Sequence, residues 1–371
     1  MYQGVSMLNF APTEEQKEIQ KLARSLALDQ FRARGREAER ASNAPAELLY
    51  TLAQTGLMTP FSEALGGSGA LEAVTYVLIA EELGYGDGAL AMHVLGSLAG
   101  AATVALAGSE QQQRTYLMPF CDPHNGYTHA GSLAFAERTG GYTLDEISTT
   151  ARLEGNSWII NGTKRDVIHG EQSNPRVALA RLDGQPGLDD LCALLVPGDT
   201  PGLRVTPDSH KLGLNATPSA ELACENARVH TDNLLGDPGH PGVVRAAILY
   251  QLLRAGVACG SACAGLEYAS DYARERVAFG RPIASYQGIA FLIAEMAMKL
   301  DAARLYLWRA ATSWDRDTEL TTLVREAEAA QHQALKIAKS ATIDTIQILG
   351  GAGFIQDHPA EMWMRNAAAL D

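Results

Sequence analysis

The sequence predicts an α+β fold, mostly α, in which an N-terminal helical domain is followed by an antiparallel β-domain and a C-terminal four-helix bundle. The hydrophobic period is helical up to about residue 121, close to two over residues 127–235, and helical again from residue 242. A run of small residues over 255–265 would let neighbouring helices approach closely. We therefore divide the chain into domains at residues 1–126, 127–238 and 239–371.

Composition indicates an ordinary globular protein. Of the 371 residues, 46% are hydrophobic and 20% are charged, enough for two or three domains. A formal net charge of −13 argues against a nucleic-acid or anionic-membrane partner, because their phosphates would be repelled. We expect no membrane span, since no apolar run of about eighteen residues is apparent, and we see no signal peptide. The five cysteines form no Cys-x-x-Cys pair and indicate reduced thiols in a cytoplasmic protein.

The first domain is predicted to consist of helices. Thr13-Glu-Glu-Gln has the form of a capping box and precedes apolar residues at helical spacing. Further helices are predicted over residues 48–57, 71–83 and 89–106, whose long apolar faces are typical of a helical bundle.

The middle segment is predicted to form short strands separated by Gly and Pro. Candidate strands cover residues 177–181, 192–196, 203–205 and 220–224. Residues 158–162, Trp-Ile-Ile-Asn-Gly, predict a strand that enters an Asn-Gly turn. The pattern favours a small antiparallel barrel or sandwich.

The last segment is predicted to contain three long helices. They cover residues 243–276, 287–314 and 321–349, and the third ends at Gly350-Gly351. The first of these helices carries the small residues and should lie at the centre of the domain, with the last helices forming the core of an oligomer.

Two motifs in this segment carry a family resemblance. Residues 276–287 read Arg-Val-Ala-Phe-Gly-Arg-Pro-Ile-Ala-Ser-Tyr-Gln, and residues 347–354 read Gln-Ile-Leu-Gly-Gly-Ala-Gly-Phe. Together they resemble the signature of the acyl-CoA dehydrogenase family. Shorter segments such as Glu81-Glu-Leu-Gly and Lys211-Leu-Gly agree in order. The resemblance covers essentially the whole chain and implies the acyl-CoA dehydrogenase fold.

The resemblance implies FAD bound across a dimer. One subunit's β-domain holds the isoalloxazine ring, and the neighbour's last helical domain reaches the pyrophosphate and adenosine. A guanidinium can grip phosphate oxygens in a fork, and glycine lets the backbone approach a ligand. The pyrophosphate-side set is retained here, as Arg276, Phe279, Gln287, Gln347, Gly350 and Gly351.

The ring-side set is altered. Where the family has Thr-Glu-Pro followed by Gly-Ser-Asp, only Glu137 and Gly141 match. The Thr hydroxyl is replaced by a methyl group, the small Ser by a Tyr, the stacking Trp by an acid, and the Thr that bonds the ring edge by an Ile. These changes fall at Ala136, Tyr142, Asp166 and Ile168. We expect weak FAD binding by the isolated chain.

The catalytic base is missing at both family positions. Most members carry a Glu in a loop that would lie beyond Asp371, which is itself a weak candidate. A minority carry it on the helix before the Arg-Phe-Gly motif, where counting back from Phe279 gives Tyr250, with Gln251 in place of the usual Arg. A phenol with a pKa of about 10 is a poor base at neutral pH, so Tyr250 is either an atypical catalytic residue or a pocket-lining aromatic. Glu361 matches a structural acid.

Three functions remain open. The chain could be the non-catalytic partner subunit of a heteromeric, flavin-dependent dehydrogenase of acyl thioesters. It could be a self-sufficient FAD-dependent acyl-CoA or acyl-carrier-protein dehydrogenase, in a homo-oligomer, with an atypical base. It could also be a flavin-free member with a non-redox or scaffolding role. The nine histidines, His129, His169 and His358 among them, show no metal-ligand spacing, and we predict no metal site.

Overall fold

The N-terminal part of the molecule is a bundle of helices, as predicted. The computed structural model describes residues 11–69, 71–137, 142–182 and 187–370. The Thr13 side chain accepts a hydrogen bond from the Gln16 backbone, and the Gln16 side chain accepts one from the Thr13 backbone, which confirms the capping box. The helices are α1 (Glu14–Leu26), α2 (Ala33–Ala41), α3 (Ala46–Ala53), α4 (Ala73–Gly86), α5 (Gly88–Ala107) and α6 (Glu110–Leu117), with a π-helical segment (Ala27–Arg32) joining α1 to α2.

The middle part contains one sheet of seven strands. Its order is β1-β4-β2-β3-β7-β6, with β5 also paired to β4. Four of its pairings are antiparallel, but β4 runs parallel to both β1 and β2, so the predicted β-domain is a mixed sheet. The strands are β1 (Ser132–Ala134), β2 (Thr150–Glu154), β3 (Ser157–Ile168), β4 (Arg176–Leu182), β5 (Leu191–Leu195), β6 (Leu203–Pro207) and β7 (Ser219–His230).

The predicted turn at Asn161-Gly162 is wrong. Strand β3 continues through both residues, and its register with β7 shifts at this point, as in a β-bulge. A Cβ atom on Gly162 would lie 2.4 Å from the Thr149 hydroxyl, so glycine serves close packing here. The chain reverses earlier, between β2 and β3, where Gly155 has φ +61°.

The C-terminal part is the predicted helical bundle. The small-residue helix α7 packs against α4, α5, α8 and α9 and is buried over most of its length, which confirms its central position. A short hairpin joins α7 to α8. The elements are α7 (Pro241–Glu275), β8 (Val277–Ala278), β9 (Arg281–Pro282), α8 (Gln287–Asp315), α9 (Leu320–Leu349) and α10 (Ala360–Ala368).

Helices α5 and α7 are long and apolar enough to cross a membrane by length and composition alone. The expectation that the chain has no apolar run of about eighteen residues is therefore wrong. In α5 and α7, 83% and 94% of the most apolar window is buried inside the protein. Burial of this kind is typical of core helices, and it accounts for their composition without a lipid environment.

The contact between α4 and α7 depends on glycine. A Cβ atom on Gly260 would lie 2.0 Å from the carbonyl oxygen of Glu81, and one on Gly84 would lie 2.5 Å from that of Val257. We expect Gly260→Val to lower the free energy of unfolding by about 3 kcal/mol or to prevent folding, because backbone cannot move aside as a side chain can. Urea denaturation measures this. Gly288→Ala is the control, since a Cβ there meets open space; equal stability of both variants would contradict the packing argument.

A buried ion pair in the β-domain gives a pH-dependent contribution to stability. Lys164 is 1% exposed, and its Nζ lies 2.8 Å from Oε1 of Glu137. The carboxylate of Glu137 also accepts hydrogen bonds from two backbone N–H groups, that of Ser148 at Oε2 and that of Thr149 at Oε1. Burial alone would raise the pKa of Glu137, but the charge of Lys164 and these hydrogen bonds outweigh it and lower the pKa to about 2.

The folded-state pKa of Glu137 therefore lies below its unfolded value of about 4.3. The stabilisation is fully present above that unfolded value and is lost as the pH falls towards 2. We expect the free energy of unfolding to fall by about 2 kcal/mol between these limits through this carboxylate. Urea titrations at pH 5 and pH 3 test this against the double variant Glu137→Gln, Lys164→Met, which should show a smaller pH difference. The same difference in both proteins would refute the assignment.

Candidate functional site

Three helix ends meet at one end of the C-terminal bundle. Arg245, near the start of α7, forms an ion pair of 2.7 Å with Asp317, between α8 and α9. Tyr272, near the end of α7, contacts His358, beyond α9, with 6.1 Å between ring centroids. Helices α7 and α9 are thus parallel and α8 is antiparallel to them. This arrangement brings together all six residues of the predicted pyrophosphate side, namely Arg276, Phe279, Gln287, Gln347, Gly350 and Gly351.

This end of the bundle is open to solvent in the chain. Phe279 is 96% exposed and has φ +54°, and Gly350 has φ +60° with open space around it. The Arg276 backbone is fixed by hydrogen bonds from its N–H to Tyr272 and from Ile283 to its carbonyl. Its guanidinium makes no hydrogen bond or ion pair with the described residues. A positioned backbone thus presents a guanidinium that the described residues leave free, at the same end of the bundle as the exposed glycines Gly350 and Gly351, which fits a pyrophosphate.

The predicted ring side does not fit an isoalloxazine. Ala136 is buried, and its carbonyl accepts a hydrogen bond from the backbone of Arg165. Ile168 is buried against α5, where a Cβ atom on Gly96 would lie 2.7 Å from its side chain. Asp166 is exposed, has φ +52°, and pairs with Arg165 at 3.1 Å. None of these three side chains offers a hydroxyl or a stacking ring, and Gly141 lies outside the described residues.

An aromatic cluster occupies the junction between the β-domain and α7. Tyr142 meets Tyr250 edge-on, with ring centroids 5.8 Å apart. The Arg254 guanidinium carbon lies 3.3 Å from the centroid of the Tyr142 ring, and its Nη2 donates to the carbonyl of Leu370. Gln251 donates to the carbonyl of Tyr142. These contacts hold Tyr142 against the third and fourth turns of α7.

Tyr250 is a poor candidate for a base. It is 3% exposed, and burial, followed by the neighbouring Tyr142, raises its pKa well above 10. A phenol in this environment stays protonated at neutral pH. The structure therefore favours the core-aromatic interpretation over the catalytic one.

Two acids near the C-terminus, Glu361 and Asp371, were singled out in the sequence. Asp371 lies outside the described residues. Glu361 pairs with Arg36 at 2.5 Å and with Arg365 at 2.6 Å, which links α10 to α2. These contacts agree with a structural role for Glu361.

The sequence did not predict that the side chains of His93 and His169 lie together. The ring of His169 lies 4.4 Å from that of His93, centroid to centroid. Both rings line a cavity of about 560 Å³ between α3, α5 and the β-domain. Across the described ranges, no group of three or more His, Cys, Asp or Glu side chains could hold a metal ion.

Comparisons with known proteins cover the chain from end to end. The family models for the N-terminal, middle and C-terminal domains of acyl-CoA dehydrogenase match residues 13–123, 132–227 and 249–371. The chain is 31% identical over 369 residues to probable acyl-CoA dehydrogenase YngJ of Bacillus subtilis, covering 98% of this chain and 95% of that protein. It is 35% identical over 329 residues to the mitochondrial short-chain specific acyl-CoA dehydrogenase of Rattus norvegicus, covering 87% and 77%. The structure of butyryl-CoA dehydrogenase from Megasphaera elsdenii is similar at a TM-score of 0.84 and 25% identity, covering 98% and 95%.

Proposed function

This chain belongs to the acyl-CoA dehydrogenase family, and from that premise we propose that it is the partner subunit of a cytoplasmic heteromer that dehydrogenates an acyl thioester. In this proposal a second family member binds the flavin ring and carries the base. The present chain contributes the far end of its C-terminal bundle to that flavin. The oxidoreductase activity belongs to the complex and not to this chain alone.

The observation that carries the proposal is the contrast between the two halves of the expected FAD site. The half that would serve a neighbour has exposed glycines at Gly350 and Gly351, and its Arg276 guanidinium has no hydrogen-bond or ion-pair partner within the described part of the chain. The half that would serve the chain itself has buried aliphatic groups at Ala136 and Ile168. Loss of one half with retention of the other is expected of a subunit that completes another chain's site.

The residues of this chain would bind the cofactor without taking part in its redox chemistry. Because its ring side does not fit an isoalloxazine, the flavin ring would lie on the other chain. Bound by the other chain, FAD would supply the acceptor for a hydride. Arg276 would hold the pyrophosphate by charge-assisted hydrogen bonds, and the absence of side chains at Gly350 and Gly351 would let the cofactor approach the backbone closely.

A flavin-free member is the second candidate, and the aromatic cluster favours it. Tyr142, Tyr250 and Arg254 pack against one another where the family resemblance implies an acyl and flavin pocket. A chain without any flavin role would have no use for the open cation at Arg276. The two candidates therefore differ in whether Arg276 affects FAD bound by another chain.

Arg276→Ala should weaken FAD retention by the mixed complex. The chain is co-expressed with a family member that carries Trp-Ile-Thr at the ring side, and flavin per complex is measured by absorbance after gel filtration. A bidentate charge-assisted contact contributes about 1.5–3 kcal/mol, so we expect FAD to bind roughly 10- to 100-fold more weakly.

Arg274→Ala is the matched control for this experiment. Arg274 is also exposed at the end of α7, but it pairs with Asp271 at 3.4 Å and does not belong to the matched set. It should leave the flavin content unchanged. If Arg276→Ala also leaves it unchanged in an intact complex, the trans role is wrong and the flavin-free candidate gains support.

A further inference from the structure

The cavity beside His93 and His169 is separate from the proposed flavin contacts. It lies between α3, α5, the segment that enters β1, and the segment that follows β3. None of Ala136, Tyr142, Asp166 or Tyr250 lines it. Its volume of about 560 Å³ is in the range of small-molecule sites, which is roughly 300–1,000 Å³.

Backbone carbonyls fix the proton positions of both imidazoles. Nδ1 of His93 lies 3.0 Å from the carbonyl oxygen of Ala216, which can only accept, so Nδ1 carries the proton. Nε2 of His169 lies 2.8 Å from the carbonyl oxygen of His93 and carries its proton for the same reason. Nε2 of His93 and Nδ1 of His169 are left with lone pairs, and neither has a hydrogen-bond partner among the described residues.

Both rings are neutral near neutral pH. Burial, followed by the proximity of His169, lowers the pKa of His93 to about 3. Burial also lowers the pKa of His169. The imidazoles of His93 and His169 therefore offer hydrogen-bond acceptors and carry no charge. His129 and several Ser, Thr, Asn and Gln side chains also line the cavity.

The rest of the lining restricts the ligand further. Among the described residues, no Lys or Arg lines the cavity, so it offers no guanidinium or ammonium to pair with a phosphate or a carboxylate, and Glu171 is the one carboxylate in the lining. Two lone pairs without a third ligand do not make a site for a metal ion. An apolar wall of the cavity is formed by Leu49, Leu52, Met58, Val94, Leu98 and Phe120.

We propose that this cavity binds an uncharged, largely apolar molecule that carries a hydroxyl group, such as an alcohol or a phenol. The hydroxyl donates to Nε2 of His93 or Nδ1 of His169, and the hydrocarbon part lies against the apolar wall. This inference goes beyond the proposed function and does not depend on it. It assigns the chain a ligand of its own, away from the flavin contacts at the end of the bundle.

The test compares two probes of equal size on the full-length chain by titration calorimetry. 2-Naphthol carries the donor, and 2-methylnaphthalene does not. We expect 2-naphthol to bind about tenfold more tightly, the effect of one hydrogen bond in a buried site. Replacing the accepting imidazole by a ring without a lone pair should abolish this preference while both probes still bind. We expect this in His93→Phe if Nε2 of His93 is the acceptor, and in His169→Phe if Nδ1 of His169 is. Equal affinities of the two probes for the unmodified chain would overturn the proposal.

A second variant keeps the test valid if His93→Phe does not fold. Ala53 is half-buried in the lining on α3, and Ala53→Trp should fill the cavity and lower the affinity for 2-naphthol at least about tenfold. Glu47→Trp places the same ring on an exposed position of α3 outside the lining and should have no effect. Undiminished 2-naphthol binding by folded Ala53→Trp would place the ligand elsewhere and overturn the assignment.

Nitrogen NMR on histidine-labelled protein identifies the contact directly. 2-Naphthol should shift the resonance of Nε2 of His93 or Nδ1 of His169, the two nitrogens that lack protons. 2-Methylnaphthalene should leave both unshifted. Binding of 2-naphthol with no change at either nitrogen would show that the imidazoles are not its acceptors.

Discussion

Restoring the ring-side groups should raise the affinity of the isolated chain for FAD about 100-fold. The variant combines Ala136→Thr, Asp166→Trp and Ile168→Thr. Two hydrogen bonds and one aromatic contact contribute about 1 kcal/mol each, which sums to roughly two decades in affinity. The unmodified chain should carry substoichiometric FAD or none. Flavin absorbance per chain after gel filtration and calorimetric titration with FAD measure both quantities.

The control for this experiment is Ile168→Val. It also trims the side chain that packs on Gly96, but it provides no hydroxyl. Ile168→Val should leave FAD binding as weak as in the unmodified chain. The comparison separates the effect of the added Thr hydroxyl from the effect of looser packing against Gly96. A yellow unmodified chain with one tightly bound flavin per polypeptide would show that Ala136, Asp166 and Ile168 do not govern FAD binding.

The meeting of the six proposed pyrophosphate-side residues at one end of the bundle could be predicted, because these residues lie at or near the ends of long helices. Arg276 follows the last residue of α7, Gln287 is the first residue of α8, and Gly350 follows the last residue of α9. Each end is marked locally by the period of the helix and by glycine or a hairpin. Three long helices joined by short connections must alternate in direction, and these ends therefore meet.

The two clusters within the domain junctions could not be predicted in this way. Tyr142 and Arg254 come from different domains, and so do His93 and His169. No local pattern marks such pairs, because the packing of α5 and α7 against the sheet brings them together. The prediction of a turn at Asn161-Gly162 was wrong for a related reason. At this bulge Thr149, on the neighbouring chain segment, leaves no room for a side chain at residue 162. An Asn-Gly pair is also typical of a turn. The sequence alone therefore could not show that Gly162 serves a contact with a distant segment.

The isolated chain should not dehydrogenate acyl thioesters at a useful rate, even when its flavin affinity has been restored. Removing hydride from the β-carbon requires a base that takes the α-proton, and general-base catalysis contributes about 10²- to 10⁴-fold. Tyr250, at one of the two family positions for the base, is a buried phenol whose pKa is raised well above 10. Tyr142 and Arg254 also pack against it. Burial and Tyr142 act against proton removal at this position, and they outweigh the charge of Arg254, which alone would lower the pKa of Tyr250.

Anaerobic stopped-flow mixing of the FAD-loaded ring-side variant with straight, branched and ring-bearing acyl-CoA thioesters measures this rate as flavin bleaching. We expect bleaching at least about 100-fold slower than in the mixed complex, and the same slow rate in Tyr250→Phe. Rapid bleaching that persists in Tyr250→Phe would mean that another group of this chain takes the proton. Rapid bleaching that Tyr250→Phe abolishes would make Tyr250 the base despite its burial. In either case the chain would be a self-sufficient dehydrogenase, because a partner subunit without a base cannot reduce flavin on its own.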